Sequence, residues 1–302
     1  MSEANTNTHK LSKLLSTGSI SEIRRIELKT RRNLNTSLIG QFRSAFRGSG
    51  LIFNDVREYM PGDDVKHIHW KITARSGNAY VKSYEEDREL NIILAADVSR
   101  STLAGSQKSK HQKALEFCAI VSILAKLNLD SLGLCLFSNK VEKFIPAARS
   151  RTQVMRVLSE LAEDRDLHPK TSVAEALNFL SLTLKRKSII FLISDFHCGH
   201  FKDQLQILSL KHDVIAVLLE DELDYSLPHA GLVEFVDAES GESIIIDSSN
   251  RKTRETLKKL HEHRVLSLEN TCRDVNADFL RLRRYPLRAL AELMNKRNQR
   301  IR

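Results

Sequence analysis

Four short apolar runs constrain this chain more than any other feature: Asn91 to Ala96, Leu132 to Phe137, Ser188 to Ser194 and Asp213 to Leu219. Each has the length of a strand and is bounded by polar residues. Between and around them apolar residues return at helical spacing. Ala114, Phe117, Cys118, Val121 and Ala125 form one such series, and Val154, Val157, Leu158 and Leu161 a second. Ala174, Leu177, Leu180 and Leu184 form a third, Leu205 with Leu208 a fourth. Apolar strands alternating with helices predict an α/β fold built on a doubly wound, mostly parallel sheet. Val233 to Val236 and Ser243 to Ile246 flank a turn containing Gly241 and read as a hairpin at the sheet edge. A last long helix is expected from about Asn250 to Asn270.

The chain before the first strand has a different character. Leu11, Leu14 and Leu15, then Ile20, Ile23 and Ile26, suggest short amphipathic helices. Gly48, Gly50, Pro61 and Gly62 break any helical period, so residues from Gly48 to Asp87 read as turns and short strands. The expected organisation is a helical segment over 1–47, a β and turn module over 48–88, an α/β domain over 89–285 and a basic helix over 286–302.

Composition narrows the class. The chain has 302 residues, with 41% hydrophobic and 28% charged, enough for a sizeable core and unlike a disordered chain. Its apolar runs fall far short of the roughly 20 residues of a membrane-spanning helix. The opening residues carry no apolar stretch of the kind that follows the first lysine in a secretory signal. A cytoplasmic protein is the expectation. Cys118, Cys135, Cys198 and Cys272 show no paired spacing and read as reduced thiols. The net charge of +9 is concentrated at the ends. Residues 1–50 hold nine Lys or Arg against three Asp or Glu, residues 281–302 eight against one, and those between 30 against 34. No aromatic residues alternate with these charges as stacking platforms, so nucleic acid is not the expected partner.

The first run ends in Asp97-Val98-Ser99-Arg100-Ser101, which presents one carboxylate and two hydroxyls at the C-terminal edge of a strand. Open α/β sheets bind ligands there. The same residues also suit the start and capping of the next helix. Thr171 lies just before the helix that begins near Val173, and Asp195 ends the run Ser188 to Ser194. If the strands of Asp97 and Asp195 are neighbours at the switch point, Asp97, Ser99, Ser101, Thr171 and Asp195 come together. Such hard oxygen ligands suit Mg²⁺.

These five positions resemble the metal-ion-dependent adhesion site of von Willebrand factor A domains. The resemblance implies Mg²⁺, with Mn²⁺ as a substitute, held by those residues with one coordination position open to an acidic side chain of a partner. Upstream, Arg57, Tyr59, Pro61-Gly62-Asp63-Asp64, Lys66, Ile68 and Trp70, followed by Ala74-Arg75, are similar to the hallmark block of the domain of unknown function 58 family. That similarity covers roughly residues 38 to 285. It departs at Lys66, where an arginine is expected and no bidentate fork can form, and at His69, where Asp or Asn is usual. Members of that family are associated with MoxR-type AAA+ ATPases, which implies an adaptor role beside such an ATPase or its client.

Read from the residues alone, Pro61 to Asp64 is a turn with helix-capping acids and Trp70, the chain's one tryptophan, a core anchor. Arg57, Asp63, Asp64 and Arg75 then form an ion-pair network clamping the module, or, with Tyr59 and Trp70, a surface for a partner. His67 and His69 would share a face if they lay on a strand, and His197, Cys198 and His200 follow Asp195, but neither group has an established zinc spacing.

The expected function is a non-catalytic protein-binding adaptor. One alternative is a Mg²⁺-dependent phosphohydrolase. It lacks the second carboxylate two residues beyond the first, where Ser99 stands, and an evident phosphate-cradling glycine loop. The other is nucleic-acid or anionic-membrane contact through Arg281, Arg283, Arg284 and Arg288.

Overall fold

The computed structural model describes residues 25, 28, 36–46, 51–86, 89–103, 108–150, 152–163, 170–227, 230–236 and 243–301. The expected helices around Leu11 to Ile26 lie, but for residue 25, outside them. The fold is a doubly wound α/β sheet, as the alternation of apolar runs predicts. In chain order its strands are β3 (Asn91–Asp97), β4 (Ser131–Phe137), β5 (Val141–Ala148), β6 (Ile189–Ser194), β7 (Asp213–Leu219) and β10 (Asp278–Leu282). They lie side by side in the order β10-β7-β6-β3-β4-β5. All neighbours run parallel except the last pair, β4 and β5. The strand order reverses between β3 and β6, so the loops leaving these two strands diverge and a crevice opens at their C-terminal edge.

Among the described residues the same unit holds the helices α1 (Thr36–Ala45), α3 (Lys110–Asn128), α4 (Gln153–Leu161), α5 (Val173–Thr183), α6 (Lys202–Ser209) and α7 (Arg251–Asp274). With them goes α8 (Pro286–Ile301), which packs on α1 and α3. Helices lie against the sheet on both faces, which is why Ile92 to Asp97 and every residue of β6 are buried and why these strands read as unbroken apolar runs. One core layer joins Ile93, Ala95, Ile190 and Leu192 from the strands to Ala176, Leu177 and Leu180 from α5. Cys118, Cys135 and Cys272 are buried thiols. Burial pushes Cys135 and Cys272 up to about 12, so neither is a thiolate at neutral pH. Among the described residues no helix is long and apolar enough to cross a membrane.

Gly133 sits where the outer strand closes in. A Cβ there would lie 2.8 Å from the Ala147 nitrogen, the Ile145 oxygen and the Ile93 Cδ1. Two of the three are backbone atoms that a rotamer change cannot move. Gly133→Ala is therefore expected to lower stability by about 1–3 kcal/mol, as overpacking does. Denaturant unfolding checks this; an unchanged midpoint would contradict the packing described.

The hairpin expected at the sheet edge forms instead a separate two-stranded sheet, β8 (Leu232–Val236) antiparallel to β9 (Ser243–Asp247). The edges themselves are taken by β10 and β5, whose pairing satisfies the outer backbone groups of β7 and β4.

Residues 46–90 form a second compact unit. Its strands β1 (Leu51–Glu58) and β2 (Tyr80–Glu86) pair antiparallel. A single 3₁₀ turn, Val65–His67, and helix α2 (Trp70–Ser76) connect them. Asp64 caps the turn, accepting from the Lys66 amide at 3.0 Å. Gly77 ends α2 at φ 79°, a left-handed conformation that glycine adopts without a Cβ penalty.

Candidate functional site

The C-terminal edge of β3 and β6 gathers the polar groups that the apolar strands themselves lack. Asp97 is the last residue of β3 and is buried, as are Ser99 and Asp195. Its Oδ1 accepts from the Ser99 amide at 2.9 Å and its Oδ2 from the Ser194 hydroxyl at 2.6 Å. The first bond folds the chain back, so that Ser99 Oγ and Ser101 Oγ lie 3.0 Å apart. The second ties the strand of Asp97 to the strand that ends beside Asp195. Asp97 does not cap α3: the N-cap of that helix is Ser109, whose hydroxyl accepts from Gln112.

Asp195 follows β6 directly. Its Oδ1 accepts from the His197 amide at 3.2 Å, while His197 Nδ1 and Lys110 Nζ each lie 3.4 Å from Oδ2. The next residue, Phe196, takes φ 52°, and its amide is held by Ser194 Oγ at 3.0 Å. This left-handed step turns the chain sharply at the strand end.

Thr171 arrives from a third element. Its neighbour Ser172 caps α5 and donates its own amide to the Ser138 carbonyl at 2.8 Å, one residue past β4. Because β4 adjoins β3, Thr171 stands at the same edge of the sheet. Its Oγ1 is buried without a hydrogen-bond partner among the described residues.

The two carboxylates are in opposite electrostatic states. Burial pushes Asp97 up to about 6; its bonds from Ser194 and Ser99 do not offset this, and the Asp195 charge adds to it. Burial acts on Asp195 in the same direction, but the His197 hydrogen bond and the Lys110 and His197 charges hold it well below the usual carboxylate range. Two carboxylates, three hydroxyls and few fixed positive charges form a donor set for a hard cation. Among the described residues no group of three or more His, Cys, Asp or Glu is arranged to hold a metal. Beside Asp195 opens a cavity of about 400 Å³, lined by Phe196, Phe201, Leu218, Val265 and Arg264 among others.

The upstream block lies in the second unit. Arg57 makes a two-pronged bond to Asp63, Nη1 to Oδ2 at 2.8 Å and Nη2 to Oδ1 at 2.5 Å. Asp63 also accepts from the Met60 amide. This pair closes the Pro61-Gly62 turn within the unit. Tyr59 is half-buried and its amide bonds to the Ala79 carbonyl, while Asp64 caps the turn as described and Arg75 is exposed in the last turn of α2. Trp70 is no core anchor: it is 67% exposed, because it is the first residue of a short helix that buries none of its residues. His67 and His69 do not share a strand face either. His67 belongs to the 3₁₀ turn, and His69 caps α2 through Nδ1, 3.4 Å from the Ile72 amide.

The terminal arginines are engaged by acids. Arg281 and Arg283 converge on Glu220, Arg284 faces Glu222, Arg288 pairs with Glu292, and Arg297 bridges Asp213 and Asp278. The basic count of the C-terminal segment is thus largely spent within the protein.

Sequence reasoning passed over Ser194, Lys110 and Arg264, which surround the two carboxylates. Ser194 and Arg264 give no signal in the chain. Lys110 gives one: a lysine in the first turn of a helix, where acids are favoured.

The model of the family described as protein of unknown function DUF58 matches residues 55–265. An uncharacterised protein of Mycobacterium tuberculosis strain H37Rv is 28% identical over 223 residues, covering 72% of this chain and 70% of that protein. Among solved structures, an aerotolerance-related membrane protein from Bacteroides fragilis is similar over 70% of this chain and 99% of its own, with 14% identity and a TM-score of 0.44. The VWA domain of SpRpn10 is similar over 69% of this chain and 94% of its own, with 11% identity and a TM-score of 0.35.

Proposed function

Because this chain belongs to the family described as protein of unknown function DUF58, we propose that it is a non-catalytic protein-binding adaptor whose centre at the β3 and β6 edge holds Mg²⁺ or Mn²⁺. Through that ion it engages an acidic side chain of a protein partner. The observation that carries the reading is the Thr171 hydroxyl, a buried oxygen without a hydrogen-bond partner among the described residues, at the same edge as the paired hydroxyls of Ser99 and Ser101. An unpartnered buried hydroxyl is costly, and a cation would satisfy it.

Asp97, Ser99, Ser101, Thr171 and Asp195 would hold the ion. Bound there, it would supply a positive charge that two carboxylates only just neutralise, leaving it able to recruit a third from outside. The chain's own residues prepare the edge. Ser194 positions Asp97, the Asp97 bond to the Ser99 amide sets the serine pair, and the left-handed turn at Phe196 fixes Asp195. The partner that the family resemblance implies is a MoxR-type AAA+ ATPase or its client, in the cytoplasm. The exposed Trp70 of the second unit, with Tyr59 and Arg75, is the further contact surface of this reading.

The test is co-purification with a purified MoxR-type AAA+ ATPase, in Mg²⁺ and in EDTA. Wild type should be captured in Mg²⁺ and at least about tenfold less in EDTA, and Asp97→Ala should behave as wild type does in EDTA. Capture of a folded Asp97→Ala protein, or of wild type in EDTA, equal to that of wild type in Mg²⁺ would contradict the reading.

A further inference from the structure

Two lysines defy the electrostatics of the helix they begin. Lys110 and Lys113 stand in the first turn of α3, where unpaired amides carry partial positive charge and acids are favoured, and both are buried. Each is held by groups from the C-terminal edge of the sheet. Lys113 is fully provided for: its Nζ lies 2.8 Å from Asp221 Oδ2 and donates to the Glu220 carbonyl at 2.9 Å. Lys110 is divided. Its Nζ lies 3.4 Å from Asp195 Oδ2 and 3.1 Å from Asp224 Oδ1. Asp224 is itself anchored, accepting from the Asp221 amide through its other oxygen at 2.7 Å.

We propose that Lys110 is a tethered competitor for Asp195, so that binding of a divalent cation at the β3 and β6 edge is an exchange in which Asp195 gives up the ammonium to Asp224. This rests on the cation reading above. An ammonium and a divalent ion within a few ångströms of each other repel strongly in a buried site, so Asp195 holds the ion more weakly while it keeps the ammonium. Asp224 already lies within ion-pair distance of Lys110, so the exchange needs only a small shift of one flexible side chain. With the ion bound, Asp97 and Asp195 balance its two charges and Asp224 balances Lys110. Lys110 thus weakens the bare ion's affinity, because the ion must displace it from Asp195. Lys110 is a positioning residue here, acting through Asp195.

Mn²⁺ alone is the probe, titrated into the full-length protein by calorimetry or by its paramagnetic resonance signal. Lys110→Met is expected to bind Mn²⁺ about tenfold more tightly than wild type, Lys110→Arg about as wild type does, and Asp224→Asn about tenfold more weakly. A merely structural role for Lys110 would not shift affinity in opposite directions at the two positions. Should Lys110→Met fail to fold, Asp224→Asn decides alone, and an unchanged affinity there overturns the exchange. Wild-type binding with equal affinity in Lys110→Met overturns the exchange and leaves the metal centre standing. Absence of Mn²⁺ binding in wild type and in Lys110→Met overturns both.

Discussion

Asp97→Asn is expected to make the metal-free protein more stable than wild type at pH 7, by up to about 3 kcal/mol. The reason is the buried carboxylate, which folding raises from its ordinary value of 3.8 to about 6. A carboxyl whose value is higher in the folded state binds protons more tightly there. It therefore costs stability as pH rises through this window, and the full cost is present above about 6. Asparagine keeps an oxygen for the Ser99 amide and carries no charge, so the cost disappears. The gap between the two proteins should narrow by about half between pH 7 and pH 5. The difference between the proteins is the proper readout because every other titrating group, including His212, whose imidazole burial shifts downward, is common to both. Denaturant unfolding in EDTA across this range is the measurement. A less stable Asp97→Asn at pH 7 would mean that Asp97 serves the fold rather than a ligand. In saturating Mg²⁺ the order should reverse, since only wild type gains by linkage to the ion.

Glu220→Gln is expected to act in the opposite sense, lowering stability by about 3 kcal/mol, on the order of 10 °C in Tm. Glu220 is buried at the end of β7, where Arg281 grips both its oxygens, Arg283 adds a contact at 3.3 Å and His261 lies 2.8 Å away. Burial alone would raise this carboxyl. The Arg281 and His261 hydrogen bonds and the two arginine charges outweigh it and hold the group below its ordinary value of 4.5. A carboxyl lowered in this way adds stability that is present above about 4.5 and is lost as pH falls through the lowered folded value. The amide leaves two guanidinium groups facing a neutral side chain. The figure is kept at the low end of the range for broken buried pairs because Arg281 and Arg283 keep part of their surface in water. An unchanged melting temperature would contradict the role of Glu220 as the clamp that seats β10 and its flanking arginines.

Legibility in the sequence followed burial. Strands β3, β4, β6 and β7 lie inside the sheet with helices over both faces, so their side chains are apolar almost without interruption and their positions were readable to within a residue. The outer strands were not. β10 (DFLRL) carries an arginine that serves Glu220, and β5 (VEKFIPAA) carries charges and Pro146, as an edge strand tolerates. The hairpin β8 and β9 was found, and its place was missed, because pairing within it is local while its relation to the large sheet is not. The placement of the five oxygen-bearing residues at one edge of the sheet is legible because each borders an apolar element whose end is easily seen. The residues around them were not, since Ser194 and Arg264 matter only through contacts between distant segments. Trp70 misled for a related reason: residue type favours burial, but α2 buries none of its residues.

The most direct test of the metal centre is thermal unfolding of wild type and Thr171→Val, each with EDTA and with a graded series of Mg²⁺. Valine matches threonine in shape and removes only the buried hydroxyl, which has no hydrogen-bond partner among the described residues. Without metal, Thr171→Val should therefore melt at or above wild type, as relief of an unsatisfied buried group would do. With Mg²⁺, wild type should rise steadily with ion concentration and Thr171→Val should not. An equal rise in both proteins, or none in wild type at millimolar Mg²⁺, would contradict the assignment of this edge as a cation site.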